Sequence, residues 1–562
     1  MRLMFITPES RTPRASIWLI VFASVWMAVL GNLPLWQMLW RLPELHGARG
    51  VLLIVGFAVM VAAATGSVLA LFAWRWTLKP AITVLLLLCA LASHYMWQYG
   101  IVVDTPMLIN VLQTDAHEAR DQLSASLMLH LLWLAVLPIW WVWQRPTSVL
   151  PWTRQLLHNL AWCAAGVVLM CLSLMTVFQD FSSLMRNHLM MRYQINPLNS
   201  VYAVLDLTVI PSDEVSGPLQ RVGEDARIVR VPPAHKPPLL VLVLGETARS
   251  QNFSLNGYAR ETNPELAQLP VVSFSQVSSC GTSTAESLPC MFSHLGRKGN
   301  SLKRANRENL LDVLQRAGYA VLWIDNQSGC KDQCARIASL RTSQIQSAEH
   351  CPNGECHDSV MLSLIDAEIA KLPPERRARG TVVVMHQMGS HGPAYYKRSP
   401  EAFKRFMPEC TQTSLSQCSQ QEVINAYDNT LLYTDHFLAS TVAWLERQQT
   451  HATPAMLYVS DHGESLGENN LYLHGLPYAV APQTQTRVPL ITWLSSGFES
   501  WRGVSTTCLR QGQHRALSHD HLFHSVLGLM GVATEVYARD LDLYAACAVS
   551  YTHLRAHETR ED

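Results

Sequence analysis

Five stretches without a single charged residue precede position 180: 15–40, 51–74, 80–103, 122–144 and 155–179. Each is long enough for a helix to cross the hydrocarbon core of a bilayer, which takes about 20 residues. One such run would fit a buried helix of a soluble protein. Five in succession do not, because a soluble core alternates apolar with polar faces. Residues 1–179 are therefore expected to form a membrane domain of five helices. Arg2, Arg11, Arg14, Arg75, Lys79, Arg145 and Arg154 flank one set of helix ends, and Arg41, Arg49 and Arg120 the other. The positive-inside rule then puts the amino terminus in the cytoplasm and everything after residue 179 on the far side. The first run is too long and too poorly flanked for a cleaved signal peptide, so it is expected to stay as an anchor.

A chain of 562 residues exceeds what one core serves, which implies a further domain. Charges balance at 43 against 43, leaving no electrostatic footprint for nucleic acid. Of 13 cysteines, Cys89, Cys163 and Cys171 lie in the predicted spans. Eight others fall as close pairs: Cys280/Cys290, Cys330/Cys334, Cys351/Cys356 and Cys410/Cys418. None has the two-residue spacing of zinc ribbons or thioredoxin-like sites, so short-range disulfides in an oxidising compartment are expected. Cys508 and Cys547 are left over to pair with each other.

Residues 180–237 carry scattered charge and a proline-rich approach, VPPAHKPP, and read as a linker. Its first part, 180–194, is amphipathic enough for the membrane surface or for a plain connecting helix. From Leu239 to Ala548 the pattern changes. Apolar runs at 239–244, 319–324, 381–386, 454–460 and 488–493 alternate with helical stretches, the mark of an α/β sandwich with a sheet covered on both faces. Residues 549–562 stand apart, because VSYTHLRAHET resembles a translated transposon-end sequencing adapter. They are expected to be non-native, with the native end lost near Ala548.

Polar residues follow those strands: Glu246 in LGETARS, His386 and His391 in HQMGSHGPAYYKR, and Asp461 and His462 in YVSDHGESLGE. Open α/β sheets bind ligands beyond the carboxyl ends of their strands, so a shared location is expected. A carboxylate and an imidazole delivered by one strand are hard-oxygen and nitrogen ligands suited to a zinc-class metal, although an isolated Asp-His-Gly also serves as a turn or cap. SSCGTSTAESLPC adds a hydroxyl at a helix start, where free N–H groups favour a phosphate. Composition leaves Thr282, Ser283 and Thr284 as alternatives. A threonine hydroxyl becomes a nucleophile only when a base or metal removes its proton. His474 in LYLHGLP joins His386 and His391 as a candidate for phosphate binding or proton transfer, and Lys331 could steady a phosphoryl oxygen.

GETARS, SCGTSTAESLPCMFS, HQMGSHGPAYYKR, NAYDNTLLYTD and YVSDHGESLGENNLYLHG together closely resemble the lipid A phosphoethanolamine transferases, inner-membrane enzymes of Gram-negative bacteria, some of which confer polymyxin resistance. The resemblance implies five transmembrane helices and a periplasmic alkaline-phosphatase-like domain. It implies zinc, one ion or two, held by Glu246, Thr284, Asp461 and His462, and selects Thr284 as the residue that carries phosphoethanolamine. His391 and His474 would bind the substrate phosphate or a second zinc, with Lys331 and Gln327 nearby. Asn110, Thr114 and Glu118, in TPMLINVLQTDAHEA, match positions that contact the lipid head group, although that segment departs from the commonest pattern at Pro106 and His117. The implied donor is phosphatidylethanolamine and the acceptor lipid A, both membrane lipids, and a monomer is expected.

Sulfatases of the same fold need Cys-x-Pro-x-Arg or a related motif, which CMFSHL at Cys290 lacks. Lipoteichoic acid synthases share the threonine and the five spans but transfer phosphoglycerol. Transferases that act on core sugars or periplasmic glucans are the nearest alternative. A catalytically silent membrane scaffold would have lost a ligand or the nucleophile, and here all are present.

Overall fold

The computed structural model describes residues 9–10, 14–114, 119–120, 122–208, 218–230, 236–299, 306–345, 347, 350–351 and 355–548. Glu118 and the adapter-like tail lie outside the described residues. The chain divides into two units, one of Met1–Leu108 with Gln122–Ile210 and one of Ile109–Asp121 with Pro211–Asp562.

In the first unit, Ala48–Leu71, Leu78–Tyr99, Ala125–Gln144 and Trp152–Asn187 are each long and apolar enough to cross a membrane. The remaining run forms a bent pair, Ser16–Val29 and Leu33–Trp40, with an angle of 46° between them. A broken helix leaves backbone groups unpaired, and inside a bilayer no water can satisfy them. Two asparagines do so here. Asn32 Nδ2 donates to Met27 O (2.9 Å) and Asn196 O (2.5 Å), while Asn196 Nδ2 donates to Gly31 O (3.1 Å) and Cys89 O (2.8 Å). The span Ala125–Gln144 holds a π-helical turn at Leu132–Val136 just before Pro138, whose missing N–H and ring disturb the regular ladder. On Trp152–Asn187, Leu160, Leu169, Leu172 and Met175 are exposed, as expected of side chains solvated by lipid. Residues 180–187 are the last two turns of that helix and Leu189–Gln194 is a 3₁₀ segment, so no separate helix covers 180–194.

The second unit is built on an eight-stranded sheet. In chain order its strands are β1 (Pro238–Gly245), β2 (Val272–Ser278), β3 (Ala320–Asp325), β4 (Ala338–Arg341), β5 (Thr381–His386), β6 (Thr453–Ser460), β7 (Arg487–Leu494) and β8 (Leu517–Ser518). They lie in the order β8-β2-β7-β6-β1-β5-β3-β4. β1 pairs in parallel with β5 and β6, and β3 with β4 and β5, while β7 runs antiparallel to β2 and β6. Every residue of β1, β3, β5 and β6 is buried, which is why these strands read as unbroken apolar runs. Because β7 is the reversed member, the carboxyl ends of β1, β2, β3, β5 and β6 share one edge. The register fixes this edge closely, with Gly245 opposite Ser460 and Leu244 opposite His386.

Disulfides join Cys280–Cys290, Cys330–Cys334, Cys351–Cys356, Cys410–Cys418 and Cys508–Cys547. The last closes the longest loop, 39 residues, and holds the segment after Met530 to the core. Loop entropy assigns it about 4 kcal/mol. Replacing Cys508 and Cys547 together by serine is expected to lower the urea midpoint of unfolding correspondingly. An unchanged midpoint would show that packing of Tyr544 and Leu543, both buried, suffices without the bridge.

Candidate functional site

Four side chains from three strand ends converge beyond that edge. Glu246 follows β1, Asp461 and His462 follow β6, and Thr284 opens the helix Thr284–Met291 after β2. Thr284 Oγ1 donates to Glu246 Oε2 at 3.1 Å and lies 3.5 Å from His462 Nε2. His462 Nε2 stands 3.4 Å from Glu246 Oε1 and 3.3 Å from Asp461 Oδ2. All four side chains are buried.

The loop that delivers Thr284 is tied at each step. Cys280–Cys290 clips it to the helix, Gly281 N donates to Ser287 Oγ, and Thr282 N donates to Glu286 Oε2. The three candidate hydroxyls separate here. Thr282 Oγ1 is committed to Leu476 O at 2.6 Å, and buried Ser283 Oγ makes no hydrogen bond, while Thr284 faces the carboxylate.

The donor set fits a divalent cation. His462 Nδ1–H donates to the Gly463 carbonyl at 2.9 Å, which turns Nε2 toward the two carboxylates. Asp461 Oδ1 accepts the N–H groups of Thr247 and His462, but buried Oδ2 accepts no hydrogen bond. A buried carboxylate oxygen without a donor is costly unless a cation meets it. Glu246, Asp461 and His462 offer oxygen, oxygen and nitrogen within 4.8 Å of one another. Without a metal, a proton fills that role. Burial opposes charge on His462, yet Asp461 and Glu246 outweigh it and push the imidazole up to about 10. Burial, then the negative Glu246, pushes Asp461 up to about 7. Burial also acts to raise Glu246, but the hydrogen bond and charge of His462, with His391 and His474, hold it below the usual carboxylate range.

A second cluster abuts the first. The His474 ring lies 4.2 Å from that of His462 and 5.9 Å from that of His391. His474 Nδ1 is 2.9 Å from Glu464 Oε2, and Tyr395 OH donates to Glu464 Oε1 at 2.5 Å. His462, Glu464 and His474 form another group with metal-ligand spacing. Burial, then the positive His462, holds the His474 imidazole below its usual value. Arg398 Nε donates to His391 O and its Nη1 pairs with Glu355, which fixes the backbone at His391.

The remaining candidates lie further along the edge. Ser328 Oγ donates to Gln327 Oε1 (2.7 Å), and Lys331 Nζ donates to Ser328 Oγ (3.1 Å) and to Gln113 O (3.3 Å). That last bond ties residues 109–113 to the rest of the second unit. Asn110 and Thr114 sit one turn apart, with Thr114 Oγ1 donating to Asn110 O. The hydrogen bonds of Thr284 go to Glu246 and His462, not to these two residues.

Three buried residues not singled out in the sequence brace the site. Asp325 Oδ2 accepts from Trp323 Nε1 and lies 3.1 Å from Nδ1 of His386, whose charge is favoured despite burial. Glu464 sits two residues beyond His462, inside the quoted SDHGESLGE. His519 Nε2 donates to Ser460 O and its Nδ1 accepts from Cys280 N, joining the metal-ligand strand to the threonine loop. Burial pushes His519 down to about 3, so it stays neutral and keeps both bonds. Only Glu464 had a local signal. Gly389 completes the cradle, because its φ is +51° and a Cβ there would stand 2.8 Å from Glu246 O.

Comparison with known proteins accords with this geometry. Residues 61–209 match the family model for phosphoethanolamine transferase EptA/EptB, and residues 238–532 match the sulfatase model. The chain is 36% identical to phosphoethanolamine transferase EptA of Escherichia coli K12, over 94% of this chain and 96% of that protein. It is 38% identical to phosphatidylethanolamine transferase Mcr-1 of Escherichia coli, over 83% of this chain and 86% of that one. Among solved structures, the integral membrane protein lipooligosaccharide phosphoethanolamine transferase A (EptA) from Neisseria meningitidis superposes with a TM-score of 0.90. It shares 34% identity, and the match covers 95% of this chain and 99% of that one. The chain therefore belongs to the EptA family of phosphoethanolamine transferases, and is an integral membrane enzyme whose catalytic, sulfatase-like domain is periplasmic.

Proposed function

We propose that this enzyme moves phosphoethanolamine from phosphatidylethanolamine to a phosphate of lipid A through a phosphothreonine at Thr284. The observation that carries the reading is the Thr284 hydroxyl, held 3.1 Å from Glu246 and 3.5 Å from His462 Nε2 in a buried donor set. Glu246, Thr284, Asp461 and His462 would hold a zinc ion, which when bound lowers the hydroxyl pKa and offsets phosphoryl charge. In the first half-reaction, Thr284 gives up its proton and Oγ1 bonds to phosphorus. The bond from phosphorus to the glycerol oxygen breaks, and diacylglycerol leaves with a proton. In the second, an oxygen of the acceptor phosphate bonds to phosphorus, the bond from phosphorus to Thr284 Oγ1 breaks, and Oγ1 takes up a proton to restore the hydroxyl.

His474 is suited to hold the transferred phosphate. Its Nδ1–H is occupied by Glu464, and the burial that keeps it neutral leaves Nε2 as an acceptor, able to take a proton or to bind a second zinc. His391, beside it, would share that task, with Lys331 and Gln327 further out. Asn110, Thr114 and Glu118 would approach the lipid head group. The membrane anchor serves the chemistry, since donor and acceptor reside in the same membrane.

The test is lipid A mass spectrometry on cells that lack other such transferases and express the full chain. The expected result is lipid A carrying one added phosphoethanolamine. Modification confined to core sugar or periplasmic glucan would overturn the acceptor, and addition of phosphoglycerol would overturn the donor.

A further inference from the structure

The segment NAYDNTLLYTD, Asn425–Asp435, lies within the helix Gln420–Gln448, capped by Ser419 and Glu422, and contributes no residue to the converging cluster. Its polar side chains are nevertheless buried: Tyr427, Asp428 and Asn429 are 0% exposed and Thr430 is 1% exposed. Buried polar groups at this density are bonding to something, and two of them reach the turn that carries Glu246.

That turn is strained. Thr247 has φ +53°, a left-handed conformation that a β-branched residue adopts only where its surroundings over-determine it. Three successive N–H groups are pinned by side chains. Thr247 N donates to Asp461 Oδ1 (3.1 Å), Ala248 N to Ser460 Oγ (2.8 Å), and Arg249 N to Tyr427 OH (2.9 Å). The Tyr427 hydroxyl then donates its own proton to Thr247 O at 2.7 Å, so one phenol spans the strained residue. On the other flank, Ser390 N donates to Glu246 O at 3.0 Å, and Thr430 Oγ1 stands 2.7 Å from Ser390 Oγ. Tyr427 and Thr430 are three residues apart, hence on one helix face.

We propose that this face positions Glu246, with the Tyr427 hydroxyl locking the left-handed turn and Thr430 steadying the opposite side. The proposal rests on the reading of Glu246 as a zinc ligand. Tyr427 is a positioning residue and touches no substrate. Without its hydroxyl, Thr247 O and Arg249 N lose their shared partner, the turn relaxes from positive φ, and the carboxylate swings from His462 and Thr284. Groups that orient a metal ligand typically carry a tenfold to hundredfold share of metal affinity.

The experiment measures zinc affinity, by competition with a chelator, on the full-length protein in detergent. The variants are Tyr427→Phe, Tyr433→Phe and Glu246→Gln, with thermal unfolding of the chelated forms recorded alongside. Tyr433 is on the same helix, and its hydroxyl accepts from Ser359 N at 3.0 Å. The expected result is at least about a tenfold loss of affinity in Tyr427→Phe and wild-type affinity in Tyr433→Phe. Wild-type affinity in Tyr427→Phe beside a weakened Glu246→Gln would overturn the inference and leave the metal reading intact. Equal losses in both tyrosine variants would also overturn it, because general loosening would then explain the effect. Wild-type affinity in Glu246→Gln would overturn the metal reading itself. Should Tyr427→Phe not fold, Thr430→Val takes its place, and wild-type affinity there would overturn the proposal.

Discussion

Alanine in place of Thr284 is expected to lower phosphoethanolamine transfer by at least about three orders of magnitude, the scale on which loss of a covalent nucleophile registers. The geometry permits no substitute. Thr282 Oγ1 is held by Leu476 O, and Ser283, extended at φ −147° ahead of the helix, does not face the carboxylate through any hydrogen bond. Thr284→Ser retains Oγ and should keep activity within about a hundredfold of wild type, since only the methyl that restricts the rotamer is lost. The measurement is peptide mass spectrometry after incubation of the full chain with phosphatidylethanolamine, read beside turnover. The adduct should appear on Thr284 in the wild type, on the replacing hydroxyl at the same position in Thr284→Ser, and nowhere in the alanine variant. An adduct on Ser283, or transfer surviving the alanine change, would remove Thr284 from the mechanism.

What could be read from the chain beforehand follows from which interactions are local. Hydropathy is a sum over neighbours, so the membrane runs were visible. The break between Val29 and Leu33 was not, because it is made affordable by Asn196, distant in sequence. β1, β3, β5 and β6 showed as apolar runs because both their faces are covered. β2, VSFSQVS, mixes serine and glutamine into a strand with exposed positions, and its polar residues hid it. Asp461 and His462 are adjacent and gave a motif. Asp325 and His519 reach His386, Cys280 and Ser460, far along the chain, and nothing in their immediate sequence marks them. Tyr427 lies in the quoted NAYDNTLLYTD, but its bonds to Thr247 and Arg249, which define its task, are made with a distant segment. Composition left Thr282, Ser283 and Thr284 open and only the resemblance selected Thr284; the physical distinction is the partner of each hydroxyl, or its lack at Ser283, and those partners lie far along the chain.

The second large effect is expected on removing the metal and restoring it at different pH. In the metal-free protein His462 is pushed up to about 10 and Asp461 up to about 7, so protons occupy the place of the cation. Both groups are raised above their unfolded values. Their stabilising contribution is therefore complete below those unfolded values and is lost as pH rises through about 7 and then about 10. Between about pH 6 and about pH 9, where Glu246 stays ionised, the chelated protein should accordingly lose stability as pH rises. Zinc must displace the same protons, so its affinity should climb across that window by about tenfold per pH unit for each proton released. The stabilisation that zinc confers should grow in step, because a ligand that binds only the folded state adds stability according to its affinity. Thermal unfolding with and without zinc, paired with chelator competition at each pH, measures both trends. A zinc affinity independent of pH would mean that His462 and Asp461 give up no proton to the metal, and the four-residue site would have to be abandoned. Catalysis should follow occupancy. Chelation is expected to abolish transfer, and zinc should restore it at lower concentration at the alkaline end of the window.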